Sequence, residues 1–107
     1  MGSIEVEVRI GAGPWWQDHF PGDPLVPGAV LLDEVSEALR RVDGQLGALT
    51  GVPQARFLRP VRPPAVLRVQ AQRSTGRVDF TVIDAATGAP ALRGRFLFEL
   101  VAAVPDA

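Results

Sequence analysis

Residues 19–42 read HFPGDPLVPGAVLLDEVSEALRRV, a loop rich in proline and glycine that runs into an amphipathic segment. From Gly28 to Val42 the apolar residues recur every three or four positions, as they do on the buried face of a helix. Pro27 stands just ahead of this segment and Gly44 just after it, which are usual places for a helix start and stop. The pattern predicts one helix over residues 28–42 with a single buried stripe, made up of Leu31, Leu32, Val35, Ala38, Leu39 and Val42.

The rest of the chain alternates apolar and polar residues with a period of two, which is typical of strands with one buried face. Residues 4–10 form the first such segment, and residues 52–61 form another that ends among prolines. Three more follow at hairpin spacing, with turn residues between them, over residues 67–71, 78–82 and 92–100. Together they predict an antiparallel sheet of about five strands, whose buried faces include Phe57, Phe80, Phe96, Phe98 and Leu100.

The composition narrows the class of protein. With 107 residues, of which 47% are hydrophobic and 21% charged, the chain is expected to form one globular α+β domain over residues 1–107. Its apolar runs are shorter than the roughly 20 residues of a membrane helix, so we expect a cytoplasmic protein with no membrane association. The absence of cysteine and the single histidine leave no convincing zinc set, and the net charge of -1 gives no reason to expect nucleic acid as a partner.

The loop and the helix together hold a candidate acid and base. His19, the only histidine, lies in the stiff loop, and Asp33 follows it by fourteen positions, within the first turns of the helix. An imidazole takes and returns protons near neutral pH because its ordinary pKa is about 6.5. Each residue alone has a simpler interpretation. A lone loop histidine is more often structural, and Asp33, like Glu34 and Glu37, fits a solvated carboxylate favoured by the helix dipole.

The residues from His19 to Gly28 resemble the active-site segment of the hotdog-fold 3-hydroxyacyl-carrier-protein dehydratases, which has the pattern His-Phe-Pro-Gly-x-Pro-x-x-Pro-Gly and an acid on the helix that follows. The segment Phe57-Leu58-Arg59-Pro60-Val61 also resembles the second strand of that family. The resemblance implies a hotdog fold, in which the sheet wraps around one central helix. It also implies dehydration of 3-hydroxyacyl thioesters to trans-2-enoyl thioesters, without a metal or a bound cofactor.

By the same resemblance His19 and Asp33 are the catalytic pair, and Gly28 binds the thioester carbonyl. The chemistry of these residues agrees with such roles. The histidine would take the proton from C2, and desolvation would favour a protonated carboxylic acid at position 33, ready to protonate the leaving hydroxyl at C3. The Gly28 N–H, at a helix start, would meet the charge that grows on the thioester oxygen. Phe20 and Pro27, next to these positions, are assigned to substrate binding. Some of the strand phenylalanines, which are expected in the core, could instead floor an acyl tunnel.

The position of Asp33 on the helix indicates a shared site. At 100° per residue it lies nearly opposite the stripe of Leu31, Val35 and Leu39, so it points away from the core of its own protomer. A second copy of the chain is the simplest cover for such a residue. The resembled family forms dimers whose histidine and acid come from different subunits, which implies a homodimer here, with His19 of one protomer facing the acid of the other.

Two other functions stay open. A hotdog thioesterase would use a carboxylate to activate water and would not need the histidine, and a non-catalytic acyl-binding subunit would keep the loop for folding alone. The carrier of the substrate is open as well, since an acyl carrier protein and coenzyme A both fit the chemistry. Arg56, Arg59 and Arg62 recur at every third position and are candidates to dock an acidic carrier protein, although a solvated face is the simpler interpretation.

Overall fold

A computed structural model describes residues 2–12 and 25–101 of the chain. These residues form one helix and five strands. In chain order the elements are strand β1 (Gly2–Ile10), helix α1 (Gly28–Val42) and strands β2 (Leu46–Phe57), β3 (Ala65–Ser74), β4 (Arg77–Asp84) and β5 (Ala89–Leu100). The bounds of α1 are those that the apolar periodicity predicts. His19 and Phe20 lie outside the described residues.

The five strands form one antiparallel sheet in the order β1-β3-β4-β5-β2. Two short hairpins join β3, β4 and β5 in the middle of the sheet, as the period-two segments predict. At each hairpin one residue lies in the left-handed region, Thr75 with φ 56° and Gly88 with φ 71°. The two edges belong to β1 and β2, the strands that flank α1 in the chain. The α+β class is confirmed.

Helix α1 packs across one face of the sheet and approaches both edge strands, so the sheet curls around it. Its buried side chains share one apolar cluster with the inner faces of the strands, which includes Leu31, Val35, Ala38, Leu39, Val8, Leu67, Val69, Val78, Val82 and Leu92. Leu32 is only partly buried, and Val42 is 53% exposed because the last residue of the helix lies beyond this core. The predicted stripe is therefore wrong at its last member. Among the described residues, no helix is both long and apolar enough to cross a bilayer.

Strand β2 differs from its prediction at both ends. It begins at Leu46 rather than at residue 52, and it ends at Phe57 rather than at residue 61. Three register shifts against β5 fall in its first part, and each breaks the alternation by which a strand is recognised in sequence. Just past Phe57 the Leu58 N–H still donates a hydrogen bond to the Ala91 carbonyl of β5 at 2.8 Å. Further along, the carbonyl of Val61 accepts a hydrogen bond from the Val26 N–H at 2.8 Å. That bond ties this segment to the residues just before α1.

Three of the four strand phenylalanines lie in the core as predicted. Phe96 stacks on Phe80 with ring centroids 4.3 Å apart, and it meets Phe98 edge-on at 5.7 Å. Phe57 is 48% exposed, because it ends an edge strand that has a pairing neighbour in this chain on one side only, within the described residues. Leu100 is 45% exposed because β5 runs past its last pair with β4. For both of these residues the prediction of burial is wrong.

Candidate functional site

An apolar groove of about 400 Å³ opens at the N-terminal end of α1. We call it the helix-end groove. One wall comes from the start of the helix and the residues before it, and the other comes from the end of β2 and the segment after it. The hydrogen bond between Val26 and Val61 joins the two walls, and both of these side chains are buried. The lining consists of Leu25, Val26, Pro27, Gly28, Leu31, Phe57, Leu58, Arg59, Pro60 and Val61.

The first backbone donors of α1 lie at this groove. The carbonyl of Pro27 accepts hydrogen bonds from the N–H groups of Val30 at 3.0 Å and Leu31 at 3.1 Å, which close the first turn. The N–H groups of Gly28 and Ala29 precede those bonds, and a helix start offers such groups, with a partial positive charge, to an anionic or carbonyl oxygen. Pro27 and Gly28 thus border the groove, while their binding of a substrate stays a prediction.

Gly28 packs directly against the ring of Phe57. A Cβ built on Gly28 would stand 2.8 Å from Cζ of that ring and 3.1 Å from Cε1. A real side-chain carbon would have to push the ring away. A glycine at position 28 leaves the N–H open to a ligand, which is the reason given by the sequence. The structure adds a steric reason, because a larger residue would meet the Phe57 ring.

Asp33 does not line the helix-end groove. Its side chain is exposed on the side of α1 opposite Leu31 and Val35, as the helical periodicity predicts. Its backbone carbonyl accepts a hydrogen bond from the hydroxyl of Ser36 at 2.9 Å. The inferred orientation is therefore confirmed. Because His19 and Phe20 lie outside the described residues, the pairing of His19 with Asp33 stays a prediction.

Two other carboxylates share the helix with Asp33. Glu37 lies one turn further along, on the same exposed side, and pairs with Arg40 at 3.1 Å. Glu34 is partly buried. The ion pair gives Glu37 a simple surface role, which makes it a matched control for Asp33.

Positive charge borders the groove. Arg56, Arg59 and Arg62 are all exposed. Arg59 and Pro60 also border a second groove of about 650 Å³, which runs along the β4–β5 turn. Arg56 lies opposite Arg93 in the register of β2 and β5, so like charges face each other at this edge of the sheet. Docking of a carrier protein on these arginines stays a prediction.

The groove contains side chains that the sequence did not assign to a site. Leu25, Leu58 and Pro60 line it, and Phe57 lines it as a half-exposed wall rather than as a member of the core. A signal for five of the lining residues was present, because residues 57–61 resemble the second strand of the dehydratases. Nothing in the local sequence indicates that this segment meets the start of the helix.

Comparison with known proteins identifies the family. The model of the ApeI-like family, described as ApeI dehydratase, matches residues 2–95. A curated relative, the 3-hydroxyacyl-[acyl-carrier-protein] dehydratase FabZ of Acetivibrio thermocellus, is 29% identical over 98 aligned residues. That alignment covers 82% of this chain and 67% of the relative, so the chain spans about two thirds of its length.

Solved structures give the fold. The dehydratase heterocomplex ApeI:P from Xenorhabdus doucetiae matches with a TM-score of 0.70 at 18% identity, over 91% of this chain and 93% of that one. The R-hydratase PhaJ1 from Pseudomonas aeruginosa, in its unliganded form, matches with a TM-score of 0.62 at 18% identity, over 99% of this chain and 89% of that one. These likenesses confirm the hotdog fold. Since the family model spans residues 2–95, the chain belongs to the ApeI-like dehydratase family.

Proposed function

We propose that this chain dehydrates 3-hydroxyacyl thioesters to trans-2-enoyl thioesters, as a homodimer with two shared sites. The observation that carries the proposal is the helix-end groove, where the first N–H groups of α1 lie beside an apolar wall. Membership of a dehydratase family supports the reaction type. The proposed carrier of the substrate is an acyl carrier protein, the carrier in the name of the Acetivibrio relative.

The reaction needs a base, an acid and a place for negative charge. The neutral imidazole of His19 takes the proton from C2, and the electrons of that bond move into the thioester carbonyl, whose oxygen accepts a hydrogen bond from the Gly28 N–H. When these electrons return, the C2–C3 double bond forms and the C3–O bond breaks. Asp33 of the other protomer gives a proton to the departing hydroxyl, so that water leaves. A proton then passes from the imidazolium to the carboxylate through water, which restores both groups.

The outer edge of β2, which pairs with no other strand among the described residues, supports the homodimer. Leu49 and Val52 of this strand, with Leu97 of β5 beside it, are between 36% and 39% exposed. An edge strand with apolar side chains is a template for pairing with another chain, and a second copy is the simplest such chain. Pairing along β2 would place the helix-end groove, which Phe57 borders, next to the interface. Each protomer would then help to cover the site of the other.

Turnover by matched variants tests the catalytic roles. The protein is incubated with carrier-linked 3-hydroxyacyl thioesters of several lengths, and formation of the enoyl product is followed by its absorbance. We expect His19→Ala and Asp33→Asn each to lower kcat by about 10² to 10⁴. Glu37→Gln, which changes an exposed acid one turn away, should keep the rate within about twofold of the wild type. Unchanged rates in the first two variants would reject the assignment.

Mixing the two inactive variants tests the shared site. When His19→Ala and Asp33→Asn protomers exchange, a mixed dimer holds one site with both groups intact and one with neither. Random exchange should therefore restore about a quarter of the wild-type activity. If histidine and acid came from the same protomer, mixing would restore nothing, and the proposed arrangement would be wrong.

A free-thiol assay in the same reaction separates the rival functions. Thiol release that survives His19→Ala would assign a thioesterase, in which a carboxylate activates water without help from the histidine. Binding of the 3-hydroxyacyl thioester without any turnover, at high protein concentration, would assign a non-catalytic acyl-binding subunit. Either result would replace the dehydratase proposal.

A further inference from the structure

We infer that Phe57 is a specificity-determining residue, which restricts the helix-end groove to acyl thioesters without a branch at C2. The inference rests on the proposed function in one respect, since it takes the Gly28 N–H as the donor to the thioester oxygen. Everything else in it comes from the contact between the Phe57 ring and the first turn of α1.

The ring stands beside the place where the thioester would bind. Three ring carbons of Phe57, Cζ, Cε1 and Cε2, lie 2.8, 3.1 and 3.4 Å from the point where a Cβ of residue 28 would be. The nearest ring carbon is therefore within about 4.3 Å of the Gly28 Cα, given a C–C bond of about 1.5 Å. A thioester oxygen bound to the Gly28 N–H would lie about 2.9 Å from that nitrogen. The carbonyl carbon and C2 of the acyl chain would then extend into the groove that Gly28 and the ring both line.

The ring also has a free surface for such a contact. Phe57 is 48% exposed, whereas the three other strand phenylalanines are at most 6% exposed. One part of the ring packs on Gly28, and the exposed part borders the groove. An apolar ligand that covers this part gains the free energy of removing aromatic surface from water. The ring is thus a wall that a straight acyl chain can pack against.

The backbone that carries this wall is held in place. Phe57 ends β2 and is paired there with Leu92, a fully buried residue of β5, so the strand ladder holds its backbone. Gly28 already touches the ring on the other side. A methyl group on C2 would compete with the ring for the same space. One methyl group in a tight apolar site typically changes relative rates by about 10- to 200-fold.

Kinetics with straight and branched substrates test the inference. The substrates are a 3-hydroxyacyl thioester and its 2-methyl derivative of the same chain length, with both configurations at C2. We expect Phe57→Ala to raise the ratio of kcat/KM, branched over straight, by at least about tenfold. Leu58→Ala is the matched control, because Leu58 lines the same groove and is 40% exposed. It differs from Phe57 in its distance from Gly28, since the three atoms nearest to the Gly28 Cβ position all belong to Phe57. Leu58→Ala should change the ratio by less than about twofold.

Binding measurements separate this inference from the proposed function. Saturated acyl thioesters without a 3-hydroxyl group, straight and 2-methyl, are titrated calorimetrically into the wild type, Phe57→Ala, Phe57→Leu and Leu58→Ala. Thermal unfolding first shows that each variant is folded. A shift of relative affinity toward the branched ligand in Phe57→Ala, with a smaller shift in Phe57→Leu, supports the inference even if the wild type dehydrates nothing. An unchanged ratio in both variants, or an equal change in Leu58→Ala, overturns it even if the wild type is an active dehydratase.

Discussion

The centre of the sheet and its β2 edge follow different structural rules. In β3 and β4 every second side chain is buried, and the register between these strands runs without a shift from Ser74 to Leu67. β2 has three register shifts against β5, and most of its residues are exposed, including several large apolar ones. The central strands complete their packing within the chain. The β2 edge leaves apolar surface open, as a surface that meets a ligand or another chain does.

The candidate site belongs to the second of these regions. The helix-end groove has one wall from the start of α1 and the other from the end of β2, at the border of the buried core. Leu31 and Val61 join the groove to that core, while Phe57 and Leu58 are half-exposed. The buried side gives the site a fixed position, and the open side gives a substrate access.

Two phenylalanines give the largest expected contrast between the regions. Phe96→Ala should lower the free energy of unfolding by about 3–5 kcal/mol, because the ring is fully buried between Phe80 and Phe98. Phe57→Ala should lower it by only about 1 kcal/mol, because half of that ring is already in water. Urea denaturation of both variants at one protein concentration measures the difference. Equal losses would mean that the β2 edge is part of the stabilising core.

The difference between the regions explains how much of the fold could be predicted. The helix bounds and the central hairpins follow from periodicity, because each side chain there faces either the core or water. The start of β2 could not be predicted in this way, since its bulges interrupt the alternation and two glycines, Gly47 and Gly51, carry no pattern. The prediction that Phe57 is buried was wrong for a related reason. An apolar residue in a strand pattern predicts a covered side chain. The amino-acid sequence does not show whether the chain itself, a ligand or a second copy covers it.

The candidate site could be predicted only in part. The outward direction of Asp33 follows from 100° per residue, and the structure confirms it. The contact of Gly28 with Phe57 joins residues that are 29 positions apart, 57 minus 28, and no local pattern contains it. Such contacts depend on how the end of β2 meets the helix, and that geometry arises from the packing of the whole sheet.

A charge on the β2 edge should have the second-largest effect, on assembly rather than on folding. Val52→Asp puts two like charges near each other when two copies pair along β2, and it should raise the dimer dissociation constant about 100-fold, or roughly 2.7 kcal/mol. Val42→Asp is the matched control, because Val42 is 53% exposed at the end of α1, outside β2. Sedimentation over a range of concentrations measures both constants. A Val52→Asp dimer as tight as the wild type would show that the copies meet elsewhere.

The smallest expected effect concerns Arg59, the arginine among the residues that line the helix-end groove. Arg59→Glu should raise KM about five- to tenfold for a carrier-linked substrate, because an acidic carrier protein would lose an attractive charge and meet a repulsive one. With the small N-acetylcysteamine thioester of the same acid, KM should change by less than about twofold, since that substrate brings no carrier charge to the surface.

Arg41→Glu makes the same charge change at the far end of α1, about 20 Å along the helix from Gly28, and should leave both KM values unchanged. The carrier-linked effect should also shrink as salt is added. Equal KM changes for the two substrates would place Arg59 in the binding of the acyl group, and would remove the support that this charged border gives to an acyl carrier protein as the partner.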